Sequence, residues 1–196
     1  LRKDLAEIIA AAAGVPGIRD VAMTTNGCVV RKEQRKWREA GLTALNVSVD
    51  TLDHSAFHRI TGHDRLPDIL QGIDDVLADG SVRVKLNAVM LRGLNDGQMP
   101  AWLDYIRHRP ISIRFIELMQ TGTNLSYFRQ HHYRAELLES ELRAGGWILQ
   151  ESAPDAGPAR EYRHPDYAGR IGIIAPYSRD FCAGCNRLRV TAAGDL

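Results

Sequence analysis

Strand and helix patterns alternate through the first 120 residues of this 196-residue chain, and that alternation narrows the fold more than any other feature. Residues 5–13 form an Ala-rich helical pattern stopped by Gly14 and Pro16, and residues 21–24 read as a short strand closed by Thr25-Asn26-Gly27. A charged helix at 31–40 has Gly41 where a C-terminal cap belongs, and a strand follows at 42–49. Residues 66–78 place Ile69, Leu70, Ile73, Val76 and Leu77 on one helical stripe ended by Gly80. A strand at 82–91, a helix at 99–107 and a strand at 111–118 complete the series. Strands separated by helices predict parallel βα units, in an open doubly wound sheet or in part of a barrel. No G-x-G-x-x-G follows a strand, which argues against a dinucleotide-binding sheet.

The polarity of the strands favours the barrel. In Asn46-Val47-Ser48-Val49-Asp50, period-two alternation puts Asn46, Ser48 and Asp50 on one face and the valines on the other. A buried parallel strand normally reads as continuous hydrophobics, so a polar face predicts a wet or ligand-filled interior. An exposed edge strand is the plainer alternative. Val84-Lys85-Leu86-Asn87 repeats the pattern with Lys85 and Asn87 sharing a face. An inward lysine without a partner is costly as structure and suited to a phosphate or a Schiff base, although an edge-strand lysine that blunts pairing reads the same way. Thr24 ends the first strand, where hydroxyls of a barrel face its reaction chamber, while Asn26-Gly27 alone is also an ordinary turn. In the fourth strand Arg114 has opposite parity to Glu117 and Met119, so both can face a site only if a bulge or the strand end lies between them. The structural alternatives are an ion pair of Arg114 with Glu117 or Asp50, and core filling for Met119.

After residue 120 the character changes. Residues 121–130 read as a polar connector, 135–143 as a helix ended by Gly145-Gly146, 152–159 as a loop and 162–174 as a β-ribbon. The predicted division is therefore 1–120 and 121–196. Near the end stands Cys182-Ala183-Gly184-Cys185, followed by Arg187, Leu188 and Arg189. Two thiolates at this spacing can share one metal centre, and neighbouring guanidinium groups suit an anionic substrate. A redox dithiol, half a zinc site and part of an iron–sulfur site all remain open on this spacing alone. Cys28 sits in an apolar context and reads as inert, and the seven histidines show no ligand spacing, with His131-His132 read as solvated.

Composition excludes several classes. A formal net charge of +1 gives no electrostatic case for nucleic acid or an anionic membrane. Three cysteines make no disulfide framework, which points to a reducing, cytoplasmic setting. There is no basic-then-apolar leader and no apolar run of about 18 residues, so neither export nor a membrane span is expected. The chain enters a helix at once from Leu1 with no Met, which reads as a segment of a longer protein.

Taken together and in order, LRKDL at Leu1, TTNG at Thr24, AGLTALNVSVDTLD at Ala40, KLNAV at Lys85, IRFIELMQTG at Ile113 and FCAGCNRLRVTAAGDL at Phe181 resemble the GTP 3′,8-cyclase family of molybdenum cofactor biosynthesis, within the radical S-adenosylmethionine (SAM) enzymes. The resemblance spans essentially the whole chain. It implies an α/β fold: an incomplete radical SAM-type TIM barrel over residues 1–120, then a smaller α+β iron–sulfur region. It implies SAM and two 4Fe–4S clusters as cofactors, with GTP as substrate. It further implies that a 5′-deoxyadenosyl radical takes the 3′ hydrogen of GTP and that the ribose carbon then attacks C8 of guanine. By position, Ser48 and Met119 match SAM-binding residues; Thr24, Lys85, Arg114, Arg187, Leu188 and Arg189 match GTP-contacting ones; Cys182 and Cys185 match two ligands of the second cluster. The resemblance also implies a downstream partner, cyclic pyranopterin monophosphate synthase, and is compatible with a homodimer.

The family's CxxxCxxC motif for the first cluster, its Gly-Gly-Glu-Pro stretch and its third C-terminal cysteine do not occur in this segment, which alone is expected to be inactive. Two other readings stay open: a barrel lyase using Lys85 as a Schiff-base lysine, and a zinc-binding module or degenerate GTP-binding relative without turnover.

Overall fold

The computed structural model describes residues 2–151, 157–179, 181 and 188–195. The elements in order are α1 (Leu5–Ala13), β1 (Ala22–Thr25), α2 (Val30–Glu39), β2 (Ala44–Ser48), α3 (His54–Thr61), α4 (Leu66–Asp79), β3 (Arg83–Met90), α5 (Met99–Arg107), β4 (Ser112–Glu117), α6 (Leu125–His131), α7 (Ala135–Ala144), β5 (Ile148–Leu149), β6 (Arg160–Arg163) and β7 (Arg170–Ile174). The strands form one sheet in the order β1-β2-β3-β4-β7-β6-β5. Neighbours from β1 through β4 and on to β7 are parallel, while β6 and β5 close the edge antiparallel.

Each parallel crossover carries a helix that buries an apolar stripe on one face of the sheet. In α4 the buried positions Leu66, Ile69, Ile73 and Val76 recur at helical spacing. They share one core with strand residues that include Leu45, Val47, Val84, Leu86, Ile113 and Phe115. Trp102 of α5 packs edge-on against Phe115 with ring centroids 5.9 Å apart. The expected mixed α/β architecture with a parallel sheet is the one observed, and the eight residues of β3 alternate between the core and the opposite face with no exception past Arg83.

Two elements depart from the sequence reading. Helix α3 was not expected: its residues include His, Ser, Thr and Ile and bury only Ala56 and Phe57, so no stripe marks it. Its ends are nonetheless built, since Asp53 Oδ1 accepts the Ala56 N–H at 2.7 Å and Gly62 adopts the left-handed cap at φ 74°. The polar connector at 121–130 contains α6, which buries no residue. Aromatic pairs one turn apart support it, Tyr127 with His131 at 4.5 Å and Phe128 with His132 at 4.4 Å. The β-ribbon read at 162–174 is observed as the antiparallel pair β6 and β7. Its second strand, β7, pairs in parallel with β4, so the sheet runs on past residue 121.

Candidate active site

On the face of the sheet turned away from the helices the residues stand in rows, two of them polar and the next, Val89, Ile116 and Ile174, apolar. Register aligns Thr24, Asn46, Lys85, Ser112 and Arg170 across β1, β2, β3, β4 and β7. The row two residues further along aligns Ser48, Asn87, Arg114 and Gly172. Side chains paired in register project to the same face, so the sequence-predicted residues Thr24, Ser48, Lys85 and Arg114 are gathered on one surface. Gly172 completes the second row because a Cβ there would stand 3.1 Å from Arg114 Cγ; its missing side chain leaves room for the guanidinium stem.

Lys85 is half-buried in the middle of this face. Burial first, and the Arg114 guanidinium second, push its ammonium below the ordinary lysine range, with Glu161 acting weakly in the other direction. Two like charges held together on a partly dry surface favour a bound polyanion. Lys85, Ser112 and Arg170 also line a cavity of about 660 Å³ at the amino ends of β3 and β4, with Arg83, Asp20 and Glu161 at its border. Thr24 is exposed, and its hydroxyl accepts a long 3.5 Å contact from Asn46 Nδ2. The turn after it requires Gly27, which has φ 83° and would place a Cβ 2.7 Å from Ile69 Cγ2 and 2.8 Å from Val47 Cγ1.

At the carboxyl ends, side chains replace the backbone ladder. Val49 N still bonds Asn87 O at 2.9 Å, but the next donor, Val89 N, is taken by Asp50 Oδ1 at 2.8 Å. Asn95, only 2% exposed, donates to Asp50 O and Val89 O at 2.6 and 2.8 Å and accepts from Leu91 N at 2.8 Å. Side chains of Asp50 and Asn95 thus pin the two strand ends, at the edge of the sheet where ligands enter parallel α/β folds. Burial raises the Asp50 carboxyl above the usual range, partly offset by the Val89 N–H. Ser48, the last residue of β2, is exposed. Asn95 escaped sequence reasoning because Leu94-Asn95-Asp96-Gly97 has ordinary turn composition.

Met119 lies two residues beyond the end of β4 and is 51% exposed, so the strand end resolves its parity against Arg114. Glu117 lies on the helix-packed face, where His132 Nε2 approaches its Oε1 at 2.7 Å. His132 is therefore not solvated as the sequence suggested: its side chain is 23% exposed because a buried carboxylate and the Phe128 ring draw it in. His131 likewise bonds the Arg92 carbonyl through Nδ1 at 2.9 Å. Leu188 is 85% exposed, Arg189 is exposed, and neither makes a hydrogen bond or ion pair with other described residues. Cys182, Cys185 and Arg187 lie outside the described residues.

Comparison with known proteins places the chain in a family. The model of the radical SAM superfamily matches residues 1–106, more than half of the chain. The chain belongs to the radical SAM superfamily. A second model, Molybdenum Cofactor Synthesis C, matches residues 111–196. All 196 residues align with a GTP 3′,8-cyclase of Stenotrophomonas maltophilia (strain K279a) at 62% identity, over 60% of that protein. GTP 3′,8-cyclases of Aeromonas hydrophila and Pectobacterium atrosepticum are 53% and 50% identical over the whole chain, which covers 57% and 60% of them. The chain thus spans about three-fifths of the length of the curated relatives it matches.

Superfamily membership implies SAM and an iron–sulfur cluster. At the carboxyl ends Ser48 presents an exposed hydroxyl, one Asp50 carboxyl oxygen accepts from Val89 N, and the Met119 side chain is exposed, groups whose chemistry is compatible with SAM. No group of three or more His, Cys, Asp or Glu able to hold a metal occurs among the described residues, so cluster ligation is not assigned to them. No helix among them is long and apolar enough to cross a membrane.

Proposed function

We propose that the protein to which this chain belongs is a GTP 3′,8-cyclase, converting GTP to (8S)-3′,8-cyclo-7,8-dihydroguanosine 5′-triphosphate, the first step of molybdenum cofactor biosynthesis. The observation that carries the reading is 62% identity over all 196 residues to a GTP 3′,8-cyclase. The polar face supports it. Lys85 and Arg114 stand one row apart on the same surface, a cationic pair suited to a triphosphate.

In this reading Lys85 and Arg114 neutralise the phosphates, Thr24 orients the nucleotide from β1, and Arg187, Leu188 and Arg189 complete its contacts. Ser48 and Met119 hold SAM at the carboxyl ends, with residues 1–120 as the barrel part and 121–196 as the substrate and second-cluster part. Cys182 and Cys185 contribute two thiolates to the second of two 4Fe–4S clusters. The clusters and SAM, when bound, supply the one-electron chemistry; the chain's own residues bind, orient and exclude water. Thiolate-held clusters suit a reducing cytoplasm, and the product suits consumption by a cyclic pyranopterin monophosphate synthase.

Equilibrium dialysis of GTP against the full-length, cluster-reconstituted protein tests the assignment. Lys85→Met should weaken GTP binding by about tenfold to a hundredfold, the worth of a charged hydrogen bond, and leave SAM binding unchanged. Equal GTP affinity in the two proteins, or none in the wild type, would contradict it.

A further inference from the structure

A buried acid on the apolar side of a sheet needs a reason. Glu117 sits among Met90, Phe115, Tyr133, Ala135, Leu138 and Ile173, with its side chain 3% exposed. A carboxylate there carries a desolvation cost that an apolar residue of similar size would avoid. Its partner, His132, follows α6 and stacks on Phe128 at 4.4 Å with 27° between the rings. The Tyr177 ring stands edge-on to His132 at 5.8 Å and tilted against Phe128 at 6.1 Å.

The far end of this cluster is a backbone contact. Tyr177 follows β7, and its hydroxyl accepts the Gln120 N–H at 2.7 Å, joining segments 57 residues apart. Asn124 takes the groups on either side, its Nδ2 donating to Met119 O at 3.0 Å and its Oδ1 accepting Thr121 N at 2.7 Å. Met119, Gln120 and Thr121 are all exposed, yet each has a backbone group held by a side chain. An exposed loop fixed this heavily presents a pre-organised edge to a ligand.

We propose that His132 and Tyr177 are positioning residues for SAM: Glu117 anchors His132, His132 and Phe128 seat the Tyr177 ring, and the Tyr177 hydroxyl sets the loop that carries Met119. The proposal rests on the reading that Met119 contacts SAM, and not on the identity of the substrate. Neither residue belongs to the strand rows that hold Lys85 and Arg114.

The test is the dissociation constant of SAM and, separately, of GTP, measured on the full-length, cluster-reconstituted protein under anaerobic conditions, with thermal unfolding recorded alongside. Tyr177→Phe removes one hydroxyl and keeps the ring. It should weaken SAM binding about fivefold to tenfold, as one hydrogen bond does, with GTP affinity and melting temperature held. His132→Ala should weaken SAM binding as well, and His132→Gln, which still reaches Glu117 with an N–H, should recover most of the loss. Unchanged SAM affinity in Tyr177→Phe, or equal losses for SAM and GTP, would overturn the proposal, as would a wild-type protein that does not bind SAM. A wild type that binds SAM but not GTP would refute the cyclase reading, while a selective SAM loss in the variants would still uphold the positioning role.

Discussion

Lys85 shows how a single side chain links burial to ligand choice. Its ammonium is disfavoured by burial and by Arg114, so it loses its proton below the ordinary lysine range when nothing is bound. A bound polyanion reverses that balance by favouring the charged form. GTP affinity should therefore fall as pH rises on the alkaline side, before free lysine would titrate, and Lys85→Met should flatten that limb. Calorimetric titration of GTP over the alkaline range checks this. Asp50 presents the opposite sign. Its folded-state carboxyl is raised by burial, so the ionised form costs stability once pH exceeds the ordinary aspartate range. Asp50→Asn keeps an acceptor for Val89 N without the charge. Its melting temperature should exceed the wild type's at neutral pH, and the gap should close as pH falls below the unfolded aspartate value, where both states are protonated. These roles were half legible in the sequence. Alternation placed Asn46, Ser48 and Asp50 on one face, but the bond from Val89 N to Asp50 depends on where the β2–β3 ladder stops, which no local pattern encodes.

At the scale of elements, the strand ends matter more than the strands. Asn95 satisfies two carbonyls and one N–H where the β2–β3 ladder stops, and it is almost fully buried. Asn95→Ala should cost about 2–4 kcal/mol by leaving those groups unpaired, measured by chemical denaturation of the full-length protein. The same variant should weaken SAM binding, since Asp50 loses its support. Elements with a continuous buried stripe, such as α4, were plain from sequence because burial imposes the helical period. Helices α3 and α6 were not, because the first buries two residues and the second none. Their signals are capping by Asp53 and Gly62 in one case and stacked aromatic pairs in the other. The solvated reading of His132 failed for the same reason: its partner Glu117 is 15 residues away, on a face that the strand pattern assigns to the core.

For the whole molecule, the sheet itself is the scaffold of the site. Register lines up side chains from β1, β2, β3, β4 and β7 into two polar rows, although these strands are drawn from residues 22 to 174. Sequence alternation told which face each strand would present, yet which residues would be neighbours followed only from pairing. The parallel pairing of β7 with β4 was the least legible step, because the ribbon pattern of residues 162–174 does not say which strand lies beside it. The rows sharpen the proposal that the polar pair of rows holding Lys85 and Arg114 would serve a nucleotide triphosphate. The most direct measurement is turnover by the full-length, cluster-reconstituted protein given GTP, SAM and a reductant, followed by chromatography and mass spectrometry. The account predicts a SAM-dependent product with the mass of GTP but a different retention time, lost in Lys85→Met. GTP recovered unchanged while SAM is consumed would contradict it.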